Sequence, residues 1–106
     1  MPDSETLPMT RRTVRFRVTG NVQGVGFRAF VRTLALGLGA VGWVANCSDG
    51  SVQGRATLSG SSLDSFREGL LSGPPGASVE TVDLWDDDGL LPEIGEGGFR
   101  IERDCL

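Results

Sequence analysis

The stretch TVRFRVTGNVQGVGFRAFVRTLALG, residues 13–37, changes its hydrophobic period halfway along. Thr13 to Val18 alternate polar and apolar side chains, which is the period of a β-strand with one buried face. From Phe27 onward the apolar side chains recur at the spacing of one helical face, which predicts an amphipathic helix. These side chains are Phe27, Phe30, Val31, Leu34 and Leu38, and Gly37 and Gly39 mark the end of the helix. A glycine-rich loop, GNVQGVG at 20–26, joins the strand to the helix.

Four further strands are predicted after this unit. The second begins at Val41 and Trp43, the third runs from Ser51-Val52 to near Leu58, the fourth contains Val82 and Leu84, and a short fifth contains Phe99 and Ile101. Asp49-Gly50 predicts a hairpin between the second and third strands, with the two positive φ angles of a type I′ turn.

A second helix is predicted between the third and fourth strands. It carries Leu63, Phe66, Leu70 and Leu71. Ser61 or Ser62 can cap its start, and Gly73-Pro74-Pro75-Gly76 stops it. The order is then β-α-β-β-α-β with a short extra edge strand. It predicts an α+β fold in which two helices cover one face of an antiparallel sheet.

The length and composition fit one domain. The chain has 106 residues, and its 39% hydrophobic content is enough for a single core. We expect residues 1–11 to form a flexible tail and residues 12–106 to form the domain. The tail lacks the apolar stretch of a signal peptide, and no apolar run approaches the roughly 20 residues of a membrane helix. We therefore expect a cytoplasmic protein without a membrane partner.

Missing residue types exclude several kinds of active site. The sequence has no His, Lys or Tyr, which rules out a Ser-His-Asp triad, a Schiff-base lysine and a histidine metal site. Cys47 and Cys105 have no metal-ligand spacing, and we expect two free thiols. The acidic run DDDGLLPEIGEGG at 86–98 lacks the spacing of a calcium loop and predicts a solvated surface segment.

The glycine loop admits several interpretations. A Walker loop requires a lysine that the chain lacks. Gly24-Val25-Gly26-Phe27-Arg28-Ala29 fits the dinucleotide fingerprint, but the chain is too short for the two halves of that fold. A purely structural turn with Arg28 in solvent is a further alternative. Against it, the loop leads into a helix N-terminus, whose unpaired N–H groups favour an anion beside Arg28. The net charge of −4 argues against a general nucleic-acid surface.

Two motifs together resemble the acylphosphatase family. They are GNVQGVGFR at 20–28 and GWVANCSDGSVQG at 42–54, and the resemblance extends over about residues 12–103. It implies a ferredoxin-like α/β sandwich that hydrolyses carboxyl-phosphate anhydrides. Arg28 would bind the phosphate and Asn46 would hold the attacking water. The phosphate cradle would consist of Gln23, Gly24, Val25, Gly26, Phe27 and Arg28. Asn21, Ala29 and the Gly54-Arg55-Ala56 segment depart from the family pattern outside the two catalytic positions.

We expect catalysis on a small acyl phosphate without a metal or cofactor, by a monomer that does not bind nucleic acid. An acyl phosphate is a reactive anhydride, so positioning and charge stabilisation can supply most of the catalysis. The alternative is a non-catalytic anion- or nucleic-acid-binding module on the same fold. For Asn46 alone, the alternative is a strand-end residue that bonds its own turn.

Overall fold

The computed structural model describes residues 11–87 and 98–105. Its elements, in chain order, are β1 (Arg11–Asn21), α1 (Phe27–Gly37), β2 (Val41–Asn46), β3 (Val52–Ser59), α2 (Leu63–Ser72), β4 (Ser78–Asp86) and β5 (Phe99–Asp104). A 3-10 turn, Gly60–Ser62, precedes α2. The tail before residue 11 and most of the acidic segment predicted at 86–98 lie outside the described residues.

The strands form one sheet in the order β4-β1-β3-β2-β5. β1 pairs antiparallel with β3 and β4, and β2 pairs antiparallel with β3. The extra edge strand β5 pairs parallel with β2, which makes the five-stranded sheet mixed. The predicted α+β fold is confirmed, with two helices packed on the sheet.

The core consists largely of the residues that the predicted strand and helix periods assign to the interior. The alternate residues Val14, Phe16 and Val18 of β1 are buried. Phe16 meets Phe66 of α2 edge to face, with ring centroids 5.3 Å apart, a favoured aromatic geometry. Phe27, Val31 and Ala35 bury the inner face of α1. Because strand and helix patterns face the same apolar interior, the loop between them is held at both ends.

Two local predictions are wrong. The hairpin after β2 is not a type I′ turn, because Gly50 has a positive φ of 93° but Asp49 does not. Its hydrogen bonds, from Gly50 N to the Cys47 carbonyl (3.0 Å) and from Cys47 N to the Ser51 carbonyl (2.8 Å), form a three-residue loop ending in glycine. Ser62 occupies the N-cap position of α2 without a side-chain capping bond in the described structure, and Ser59 instead caps the preceding 3-10 turn.

The prediction of free thiols is also wrong. Cys47 and Cys105 are joined by a disulfide across a sequence separation of 58 residues, with their Cα atoms 4.7 Å apart. The parallel pairing of β5 with β2 brings the two strand ends together, which the linear spacing of the cysteines did not reveal. Among the described residues, no helix is long and apolar enough to cross a membrane.

Candidate active site

The loop between β1 and α1 depends on two glycines in left-handed conformations. Gly24 and Gly26 have φ values of 78° and 80°, a region that L-residues seldom adopt. Gly26 is the N-cap of α1. In the described part of the chain, no side chain caps this helix and its first turn holds no acidic residue. The first N–H groups of α1 are therefore available to an anion.

Arg28 lies in this first turn and reaches toward β5. Its side chain is half-buried, and Nη1 donates a hydrogen bond to the Glu102 carbonyl at 3.1 Å. No carboxylate forms an ion pair with Arg28 among residues 11–87 and 98–105. A guanidinium has five N–H donors, so the bond to β5 orients the group and leaves donors for a second partner. This positive charge, unpaired within the part of the chain that the structure describes, lies next to a helix end that itself favours an anion.

Asn46 is the last residue of β2, where the strand leaves the core. Its neighbours Val44 and Ala45 are buried, whereas Asn46 is half-buried. The Asn46 carbonyl accepts a hydrogen bond from Cys105 N at 3.0 Å. Within the described residues its side-chain amide has no hydrogen-bond partner. The alternative, in which the Asn46 side chain bonds to its own turn, therefore does not agree with the structure. The amide can both donate and accept.

A cavity of about 190 Å³ brings the two residues together. Residues of the glycine loop, the start of α1, the end of β2 and the middle of β5 line it, among them Val22, Gly24, Gly26, Arg28, Asn46 and Ile101. Its lining thus combines a cation, the helix N-terminus and an amide side chain that bonds to none of the described residues. The arrangement can hold one small anion and place a polar group beside it.

The structure distributes the other predicted cradle residues unevenly. Gly24, Gly26 and Phe27 line the cavity, and the Phe27 side chain is buried in the core. Val25 packs against the core. Gln23 turns its amide away, and Nε2 donates to the carbonyls of Cys47 (2.8 Å) and Ser51 (2.9 Å). Gln23 therefore fastens the glycine loop to the hairpin that follows Asn46, and only the backbone N–H groups of Gln23 and Val25 could contribute to a cradle.

The hairpin carries a charge that is already compensated. Asp49 accepts bonds from Ser51 Oγ (2.6 Å) and Ser51 N (2.9 Å), and its other oxygen pairs with Arg17 at 2.8 Å. The Ser51 hydroxyl, followed by Arg17, holds the pKa of the Asp49 carboxyl well below its ordinary value. Asp49 is thus ionised and internally bonded at neutral pH, and it stabilises the loop behind Asn46.

Sequence reasoning missed the contribution of β5. Ile101 lines the cavity and the Glu102 carbonyl orients Arg28. The alternation of Phe99 and Ile101 indicated a strand, but its parallel place beside β2 depends on tertiary pairing. No group of three potential metal ligands was found among the residues that the structure describes.

The fold defines a class of protein, the ferredoxin-like α+β sandwich, and here a glycine-rich loop and a small cavity lie between β1 and α1 at one end of the sheet. The family model described as acylphosphatase matches residues 14–101. An acylphosphatase of Salinibacter ruber is 46% identical over 95 residues, which cover 89% of this chain and 96% of that protein. An acylphosphatase of Mesorhizobium japonicum is 46% identical over 91 residues, with coverages of 86% and 94%.

A solved structure agrees with these relatives. The structure of an acylphosphatase from Coxiella burnetii has a TM-score of 0.78 and 33% identity, and the match covers 89% of this chain and 95% of that one. The chain belongs to the acylphosphatase family. It is accordingly an enzyme that hydrolyses phosphorus-containing acid anhydrides.

Proposed function

We propose that the protein hydrolyses small acyl phosphates to a carboxylate and inorganic phosphate in the cavity between the glycine loop and the end of β2. The observation that carries this proposal is that one cavity of about 190 Å³ contains both Arg28 and Asn46. The phosphoryl group of the substrate lies against the guanidinium of Arg28 and the first N–H groups of α1. These donors stabilise the charge on the phosphoryl oxygens as it develops.

Asn46 orients the water that attacks phosphorus. Its amide cannot act as a base, and the sequence contains no histidine. The oxygen of water forms a bond to phosphorus while the bond from phosphorus to the acyl oxygen breaks. The acyl group leaves as a carboxylate, and the proton of the water passes to a phosphoryl oxygen of the substrate. No atom of the protein changes its covalent state in this step.

The proposed reaction uses neither a metal nor a cofactor. Arg28 and backbone N–H groups supply the charge stabilisation that a cation supplies elsewhere. We expect hydrolysis of benzoyl phosphate to continue unchanged in excess chelator. Activity that chelator abolishes and magnesium restores would contradict this mechanism.

The role of Arg28 is tested against Arg32, one turn further along α1. Both arginines donate to a carbonyl of β5, Arg32 Nε to Phe99 at 2.9 Å, but Arg32 is not among the described residues that line the cavity. Arg28→Ala should lower kcat/KM on the order of 10³-fold and abolish phosphate binding. Arg28→Lys should restore little of the lost activity, because an ammonium group lacks the planar, forked N–H donors of a guanidinium. If Arg32→Ala causes the same loss, anchoring to β5 and not phosphate binding explains the effect.

Substitutions of Asn46 and of Arg28 should affect different quantities, turnover for Asn46 and phosphate binding for Arg28. Asn46→Ala should lower kcat by roughly 10²- to 10³-fold and leave the Kd for phosphate nearly unchanged. Asn46→Asp should not restore turnover, because its charge repels the anionic substrate. Asn21→Ala, at the exposed end of β1, is the matched control. Loss of phosphate affinity together with turnover, or loss of neither, contradicts the water-holding role.

In the alternative function, a nucleic-acid-binding module, the ligand would bind the face of the sheet that the two helices do not cover. Cross-strand pairing places Trp85, Arg15, Arg55 and Trp43 in one row. Arg55 Nε lies 2.9 Å and Arg15 Nη1 3.8 Å from the same oxygen of Asp87. This carboxylate reduces the net charge of the row from +2 to +1, so the row is not the basic stripe typical of nucleic-acid binding. We expect no salt-dependent binding of single-stranded RNA, and such binding would favour the alternative.

We also expect a monomer in the cytoplasm, as the sequence predicts. Cytoplasmic thiols are mostly kept reduced, so thiol quantification of protein taken from its native cells tests whether the Cys47–Cys105 disulfide forms in this location.

A further inference from the structure

A second, larger space opens beside the proposed phosphate cavity. Its volume is about 730 Å³, and Gln23, Asn46, Asp49, Gln53 and Arg103 are among its lining residues. Asn46 lines both spaces. A molecule whose phosphoryl group lies at Arg28 can therefore extend past Asn46 into this adjoining space, which described residues line.

Arg103 is the cation of this second space. Three alternate residues of β5 have different surroundings. Phe99 is buried in the core, Ile101 lines the phosphate cavity and Arg103 lines the second space. The Glu102 carbonyl between Ile101 and Arg103 accepts the bond from Arg28. One short segment of β5 thus orients the phosphate-binding arginine and contributes a second arginine to the lining of the adjoining space.

The charge of Arg103 is available to a ligand. Arg103 is exposed and forms no hydrogen bond or ion pair with the described residues. Asp49, a carboxylate on the same space, is already bonded to Ser51 and paired with Arg17. Glu102 pairs with Arg100 at 2.9 Å. The carboxylates of these two neighbours are compensated, and Arg103 is not.

We propose that the second space binds the acyl part of the substrate and that Arg103 selects acyl phosphates whose acyl group carries a second negative charge. This inference rests on the proposed function, because it takes the phosphoryl group to lie at Arg28. The carboxylate or phosphate of the acyl group meets the Arg103 guanidinium, which can bind it through two parallel hydrogen bonds. Arg103 takes no part in breaking the anhydride. It determines which anhydride is bound.

The test compares two substrates that differ by one charge, benzoyl phosphate and 4-carboxybenzoyl phosphate. The measured quantity is the ratio of kcat/KM for the second to kcat/KM for the first. Arg103→Gln should lower this ratio about tenfold, the range expected for a charge-assisted bond in a partly open site. Arg103→Lys should keep part of the preference, since it keeps the charge without the fork. Raising the ionic strength should lower the wild-type ratio, because salt screens an open charge pair.

Arg67→Gln is the matched control. Arg67 is an exposed residue of α2 that is not among the described residues lining either space, and its replacement changes the net charge equally. It should leave the ratio as in the wild type. An unchanged ratio in Arg103→Gln, or an equal fall in Arg67→Gln, overturns the inference. If the wild-type protein hydrolyses neither substrate, it is the proposed function that fails.

Discussion

Replacing Gly26 with alanine measures the stability cost of the left-handed backbone in the loop, without a contribution from packing. Gly26 has φ 80° and ψ 20°, and a Cβ added there would meet no described atom within 4 Å. Any loss of stability must therefore come from the left-handed backbone, which costs an L-residue about 1–2 kcal/mol. The reduced freedom of alanine in the unfolded chain offsets about 0.4–1 kcal/mol of this cost. We expect a net loss of about 1 kcal/mol, or roughly 4–8 °C in Tm.

Gly37, at the other end of α1, is the matched control. It lies in the helix without a positive φ, and a Cβ there would also meet no described atom within 4 Å. In a helix interior alanine is about 0.5–1 kcal/mol more favourable than glycine, and at the last residue of α1 we expect a smaller gain of the same sign. Gly37→Ala should therefore stabilise the protein. The two variants add the same methyl group to open space and should change the free energy of unfolding in opposite directions.

Urea unfolding of the wild type and both variants, with and without phosphate, measures these effects. Gly26→Ala should also weaken phosphate binding, because relief of the strain turns the N–H groups of the loop, whereas Gly37→Ala should not. A Gly26→Ala protein as stable as the wild type would refute the argument. So would a change of the same sign in both variants.

Three other predictions concern the disulfide, the hairpin charge and the ligand. Reduction of the Cys47–Cys105 bond, which closes a separation of 58 residues, should lower the free energy of unfolding by up to about 4 kcal/mol; identical urea midpoints with and without reductant would contradict this. Folding lowers the pKa of the Asp49 carboxyl. Its contribution to the free energy of unfolding is therefore full above the unfolded pKa of about 3.9 and is lost as the pH falls further. Asp49→Asn should thus be less stable than the wild type at pH 7, with the difference shrinking in strong acid. Phosphate at a hundred times its Kd should stabilise the fold by about 2.7 kcal/mol, and an unchanged Tm in calorimetry would show that the folded protein does not bind phosphate.

The hydrophobic periods of the sequence predicted most of the fold because those periods are local. Val14, Phe16 and Val18 face one side of β1 in any sheet, and the helical stripe from Phe27 defines an inner face for any neighbour. The glycine loop was likewise predictable as a strand-to-helix connection. The type of the Asp49-Gly50 turn was not, since the dipeptide suits more than one hairpin loop and the bonds of Ser51 and Arg17 to Asp49 select the one observed.

By itself, the sequence determined the alternating strands, the amphipathic helices and the residue types available for chemistry, because these depend on neighbours in the chain. Only the tertiary structure decided that β5 lies parallel to β2, and with it three features of the site. The Glu102 carbonyl orients Arg28, Cys105 is bonded to Cys47, and Arg103 lines the same space as Asn46. Each of these features joins residues more than fifty positions apart, and the free energy that selects such a pairing comes from burial of the whole sheet and not from any local pattern.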